Sequence, residues 1–180
     1  MTAIQDLPTV PGPARGQAPV TAAQLRRTLR RQAAGVTVIT VPGPAGFTAT
    51  SFTSVSLEPA LVSFYISATA SAAPAVRAAE SFAVHILRRD QEQLAARFAR
   101  SGVDRFAGAD WAPDGRGTPL LADVAAWLTA RPVLLQEVGD HLLVVGEVTA
   151  AGEQEGSRPL VHHDGVFGGF SESPDHRAEH

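Results

Sequence analysis

The chain has 180 residues, 44% hydrophobic and 18% charged, with a formal net charge of −3. That is enough for one domain with a real core, and a slightly acidic balance argues against nucleic acid, which calls for a basic stripe. There is no cysteine and all fifteen basic residues are arginine, so thiolate, disulfide, iron–sulfur and lysine Schiff-base chemistry are excluded, as is a P-loop lysine.

Residues 1–20 hold four Pro and two Gly without an apolar period and are expected to form a mobile arm. No apolar run nears about 20 residues and no signal core is visible, so the cytoplasm is the expected location and no membrane is expected. A single domain is expected over 21–170. Thr21 with Gln24 is a capping-box pattern; the helix it opens carries Leu25 and Leu29 on one face and is expected to end near Gly35. Its Arg26-Arg27 and Arg30-Arg31 pairs read as a solvated face, from which one arginine can reach a phosphate. Residues 36–41 predict a strand, 42–46 a turn and 47–52 the returning strand.

Over 61–67, Val62, Phe64 and Ile66 alternate with Ser63, Tyr65 and Ser67, which predicts a strand. Residues 71–80 read as a short helix with Pro74 in its first turn. Residues 82–87 read as a strand holding His85 as a satisfied core histidine. Asp90 is the expected cap of a helix that uses Leu94 and Phe98 and stops at Ser101-Gly102; 101–119 is expected to be irregular. Two long β runs, 125–138 and 142–151, flank Gly139-Asp140-His141, a hairpin with positive φ at glycine. One or two strands follow over 160–170, then a loose tail over 171–180. Many strands with few helices do not build a βαβ array. The predicted fold is mainly β, a closed antiparallel barrel with a few flanking helices.

The densest signal is residues 48–59, Thr-Ala-Thr-Ser-Phe-Thr-Ser-Val-Ser-Leu-Glu-Pro. Six of these twelve carry a hydroxyl, set among Phe52, Val55 and Leu57. The pattern predicts a half-buried strand pair whose hydroxyls meet a polar, uncharged ligand rim, because buried hydroxyls need partners. The competing reading is that they satisfy local backbone groups.

This segment resembles the T-A-N-S-F-x-S-V-S-x-x-P-P signature of the short-chain flavin reductases, the reductase components of two-component flavin-dependent monooxygenases. Thr50 stands where that family has Asn, keeping a donor and an acceptor but losing the amide's reach; Ala60 replaces the second Pro. Asp104-Arg105-Phe106 matches a D-R-F element and Gly139-Asp140-His141 a G-D-H element. His162-His163-Asp164-Gly165-Val166-Phe167 matches Y-H-x-G-x-Y/F, with His162 in place of Tyr. The resemblance spans roughly 25–169.

The resemblance implies a Greek-key split β-barrel of the FMN-binding type, and a homodimer with flavin near the subunit interface. The implied activity is NAD(P)H-dependent reduction of FAD or FMN by hydride transfer, with reduced flavin passed to a partner monooxygenase. By the same resemblance, Thr48, Ala49, Thr50 and Ser51 line the isoalloxazine, and Ser54, Val55 and Ser56 the ribityl and phosphate side. Ser67, Ala68 and Ser71, where a strand enters a helix, would receive the phosphate; an ordinary N-cap is the competing reading. Arg105 and Phe106 would flank phosphate or adenine, against a plain surface salt bridge for Arg105. Gly139, Asp140 and His141 would seat the nicotinamide of NADH or NADPH, closed over by His163 and Phe167; an exposed turn histidine is the bland alternative for His141. No side chain is needed as acid, base or nucleophile, so His141 positions and does not react. Histidines 162 and 163 point to opposite faces of a strand with no third ligand spaced to join them, so no metal is expected. Two readings keep the flavin and drop the reductase: a non-enzymatic electron-transfer or sensing module, and an oxidase acting on its own substrate.

Overall fold

The computed structural model describes residues 18–171. The arm expected over 1–20 and the tail over 171–180 lie outside it, apart from residues 18–20 and 171. Among the described residues no helix is long and apolar enough to cross a membrane.

Helix α1, Ala22–Leu29, starts at the expected capping box: the Gln24 N–H donates to Thr21 Oγ1 at 3.2 Å and the Thr21 N–H to Gln24 Oε1 at 2.9 Å. It stops well before Gly35. The N–H groups of Arg31 and Gln32 tighten onto Thr28 and Leu29 three residues back, and Ala34–Gly35 leaves as strand β1 to pair with β11, Leu160–His163. Strand β12, Val166–Gly169, completes this small sheet. Its turn residues Asp164 and Gly165 both have positive φ, 49° and 85°, as a type I′ hairpin requires.

The main sheet is antiparallel and has seven strands: β2 Thr37–Val41, β3 Ala45–Ala49, β4 Thr53–Leu57, β5 Ala60–Ser67, β6 Phe82–Ile86, β9 Ala126–Val138 and β10 His141–Glu153. Their order is β3-β2-β6-β9-β10-β5-β4. Strand β3 ends at Ala49, so the expected strand over 47–52 is shorter, and β4 is a separate, mostly exposed edge rather than half of a half-buried pair. The long β9–β10 hairpin has register shifts at Val145/Gly146 and Val148/Ala150. Bulges bend a strand, and here they let one hairpin serve both β6 and β5. Consequently Phe47 of β3 and Phe64 of β5, far apart in sheet order, touch across the core with ring centroids 5.8 Å apart; Phe82 of β6 meets Phe64 edge-on at 5.2 Å. The sheet therefore curls around one core. No ladder joins β3 to β4 among the described residues, so the expected closed barrel is seen as a curled sheet with two free edges.

Helix α2, Ala73–Ala78, has Pro74 in its first turn as expected. Helix α3, Glu92–Ala99, is capped by Gln91 rather than Asp90, whose carboxylate is engaged by the Arg88 guanidinium at 3.0 Å. Gln91 Oε1 instead receives the Arg88 N–H. The stretch expected to be irregular contains a short hairpin, β7 Trp111–Pro113 with β8 Pro119–Leu121. It docks through buried side chains: Thr40 Oγ1 donates to the Pro119 carbonyl at 2.6 Å, and Ser81 and Thr118 hydroxyls meet at 2.7 Å. A second core of Val36, Val38, Leu87, Phe98 and Leu160 lies below it.

His85 is fully buried, with Nδ1 donating to the Val38 carbonyl and Nε2 accepting the Leu121 N–H, both at 3.1 Å. This neutral tautomer spends both ring nitrogens. Burial pulls its pKa down to about 4 from 6.5, against the smaller opposing pull of the Val38 bond. Between those values the unfolded chain takes up a proton that the folded chain refuses, so stability is complete above pH 6.5 and falls as pH drops toward 4. The gap corresponds to about 3 kcal/mol. Urea unfolding should show most of that loss between pH 7 and pH 4.5; equal stability at both would contradict it.

Candidate functional site

One cleft of about 370 Å³ opens beside the end of β3, within the roughly 300–1,000 Å³ typical of small-molecule sites. Its walls are Thr48, Ala49, Thr50 and Ser51 on one side, and Ser67 and Ser71 after β5 on another. Arg105 and His141 close the remaining sides. Eight of the residues singled out in the sequence thus meet in one place. The others do not. Ser54, Val55 and Ser56 run along the β4 edge, and Ala68, Gly139, Asp140, His163 and Phe167 are not among its walls. Phe106 is also absent: its ring packs edge-on to Phe98 at 5.1 Å and against Trp111 at 5.2 Å, as part of the second core. Phe167 sits against that core with its ring facing His162.

Tyr65, Phe98 and Ser101 line the cleft and were missed. Tyr65 was recoverable, because strand alternation puts it on the same face as Ser67. Phe98 carried only a core signal.

The hydroxyls divide into two groups. Thr48 Oγ1 donates to the Ala95 carbonyl at 2.6 Å, tying α3 to β3. Ser51 Oγ accepts the Tyr65 N–H at 3.0 Å and donates to the Tyr65 carbonyl at 3.1 Å, clamping the loop after β3 onto β5. For these two, the local backbone reading of the hydroxyl cluster holds. Thr50 is exposed and makes no hydrogen bond among the described residues, so its hydroxyl is free to meet a ligand.

At the far end, Arg105 Nε donates to the Arg100 carbonyl at 2.8 Å and Nη2 to Ser71 Oγ at 2.9 Å. The guanidinium is thereby fixed at the mouth of the cleft. Arg105 is not in an ion pair with any described carboxylate. The residue capping α2 is Ala72, with no side-chain bond, so the competing N-cap reading does not hold and cationic character here comes from Arg105.

The opposite end is set by the β9–β10 turn. Gly139 has φ of 61°, which suits the first central position of a type II′ turn. His141 therefore starts β10, opposite Ser67 of β5, and the Asp140 carbonyl receives the Ala68 N–H at 3.0 Å. His141 Nδ1 meets Asp140 Oδ1 at 2.6 Å. That hydrogen bond holds the Asp140 carboxyl below the usual range. With Nδ1 engaged by Asp140, Nε2 makes no hydrogen bond among the described residues.

Residues 29–171 match the family model described as the flavin reductase like domain. The NADH:FMN oxidoreductase of Rhodococcus qingshengii is 44% identical over 170 residues, covering 90% of this chain and 88% of that one. The reductase subunit of a flavin-dependent monooxygenase from Mycobacterium tuberculosis is 33% identical over 150 residues, covering 81% and 80%. Among solved structures, the NADH:FAD oxidoreductase of Streptomyces globisporus C-1027, in complex with NAD and FAD fragments, superimposes with a TM-score of 0.79 at 38% identity, covering 86% of this chain and 94% of that one. A family match over most of the chain, relatives of nearly equal length and a shared curled sheet agree: this chain belongs to the flavin reductase family.

Proposed function

We propose that the chain is an NAD(P)H-dependent flavin reductase that reduces FMN or FAD and hands the reduced flavin to a partner flavin-dependent monooxygenase. The observation that carries this reading is a single cleft lined by a free hydroxyl, an anchored guanidinium and an imidazole with one unengaged nitrogen, in a chain without thiol or lysine. That donor set fits a flavin nucleotide: an uncharged, carbonyl-edged ring beside Thr48, Ala49, Thr50, Ser51 and Ser67, and a phosphate end at Arg105 and Ser71. The relatives named for FMN, FAD and NADH support the same choice.

When bound, the flavin supplies the two-electron acceptor for a hydride, so the protein need provide no acid, base or nucleophile. Its residues bind, orient and exclude water. Arg105 holds the phosphate through charge-assisted bonds. His141, held by Asp140, offers Nε2 to the nicotinamide carboxamide and fixes the donor's angle. Residues 21–170 are read as the working unit, with the curled sheet as the family's split barrel. A second copy of the chain is read as covering the outward face of β5, β9 and β10. There Leu134 and Val138 are exposed beside Leu143 and Val145, an apolar stripe that otherwise faces water. The reaction is read as cytoplasmic, where NADH and NADPH are supplied.

The test is loss of absorbance at 340 nm when protein is mixed with NADH or NADPH and free FMN or FAD. No flavin-dependent loss defeats the reading, and tight flavin binding without turnover points to an electron-transfer or sensing module instead. His141→Ala should raise the KM for NADH several-fold while flavin affinity stays near native. An unchanged KM removes His141 from the site.

A further inference from the structure

A second groove, of about 690 Å³, runs beneath α1 and meets the flavin cleft at Thr50, Ser51 and Tyr65, which line both. Arg26 of α1 and Arg30 at its C-cap form its roof, and His162 and Asp164 of the β11–β12 hairpin its far wall. Three features of α1 need an explanation beyond folding. It buries no side chain. Yet its end is tied down, with the Asp164 N–H donating to the Arg30 carbonyl at 3.1 Å. Two arginines of the helix, Arg26 and Arg27, and two just past its end, Arg30 and Arg31, stand together in a chain of net charge −3. Neither Arg26 nor Arg30 is in an ion pair with a described carboxylate.

We propose that this groove seats the diphosphate of the nicotinamide dinucleotide, with Arg26 and Arg30 as its anchors. The inference rests on the reductase reading and adds to it the residues that hold the donor's charged middle. Spacing of four puts both guanidinium groups on one helix face, with Cβ atoms about 5–6 Å apart. Two planar forks so placed suit two adjacent phosphates, each able to take paired N–H bonds. Among the described residues Asp164 is the only carboxylate on the groove's walls, so two cations outweigh it. The His141 hydrogen bond and, more weakly, the charge of Arg26 keep the Asp140 carboxyl below its usual range. Arg26 therefore lies within electrostatic reach of the hairpin corner that carries His141. A dinucleotide can then lie with its nicotinamide at His141, pass Tyr65, and rest its diphosphate under α1.

The test is the double variant Arg26→Gln with Arg30→Gln. Because α1 contributes nothing to the core, its melting curve should overlay the native one. Its KM for NADH should rise about tenfold or more, with kcat and the affinity for FMN close to native. ADP-ribose, which carries the diphosphate without nicotinamide, should bind the native chain by calorimetry and weaken by a similar factor in the variant. Unchanged KM and unchanged ADP-ribose affinity overturn the inference. So does a rise confined to NADPH, which assigns the pair to a 2′-phosphate, or a loss confined to FMN, which assigns it to the flavin. Failure of the reductase reading is separate: the native chain itself would then oxidise no NADH.

Discussion

Arg105→Ala should weaken FMN binding by roughly tenfold to a hundredfold, the largest functional effect expected from one side chain outside the core. The guanidinium is held from two sides, by the Arg100 carbonyl and the Ser71 hydroxyl. Arg105 lines the cleft and is already ordered, so charge-assisted bonds from its remaining N–H groups to a phosphate keep most of their strength. Riboflavin, which lacks the phosphate, supplies the control. Flavin fluorescence titrations should show FMN weakened far more than riboflavin. Equal weakening of both would make Arg105 a prop for Ser71 and the α2 turn, and no weakening would remove it from the site.

Gly146→Ala should lower the unfolding free energy by about 3 kcal/mol, the largest stability effect expected from a single methyl group. A Cβ at this position would lie 2.3 Å from Phe82 Cζ and 2.4 Å from Phe82 Cε1, with the Ala130 methyl 3.2 Å away. Phe82 has nowhere to retreat, since it is 1% exposed and already edge-on to Phe64. The glycine sits at a register shift of the β9–β10 hairpin, over the aromatic core. The site is therefore a point where the backbone approaches a ring and only hydrogen fits. Urea unfolding measures the loss as a lower midpoint at unchanged slope. A loss below about 1 kcal/mol would mean that the ring and strand can part cheaply.

Features decided by neighbouring residues were readable from the sequence. The capping box at Thr21, the alternation over 61–67 and the Gly139 hairpin all depend on contacts a few residues apart, and each stands where expected. Features decided by distant partners were not. α1 ends early because Ala34–Gly35 is captured by β11, more than 120 residues away in the chain. β4 is exposed because no strand among the described residues pairs with its outer edge, a fact of sheet order that no local pattern encodes. Phe106 reads as a candidate ligand neighbour, yet tertiary packing gives its face to Phe98 and Trp111.

The site was half legible for a related reason. A hydroxyl on a strand is visible in sequence, but its bond is not. Thr48 and Ser51 spend theirs on Ala95 and Tyr65, so part of the dense cluster builds the cleft's walls and part faces its space. Ser54, Val55 and Ser56 continue the motif in sequence but leave the cleft with the turn into β4. The arginines of α1 looked like a solvated face, and only the hairpin folded against them turns that face into the roof of a groove.

The most direct measurement is a crystal structure of the chain soaked with FMN. The account predicts the ring beside Thr50 and Ser67, the phosphate at Arg105 and Ser71, and the face toward His141 uncovered for a hydride donor. Flavin bound elsewhere, or sandwiched with neither face reachable from His141, would contradict it.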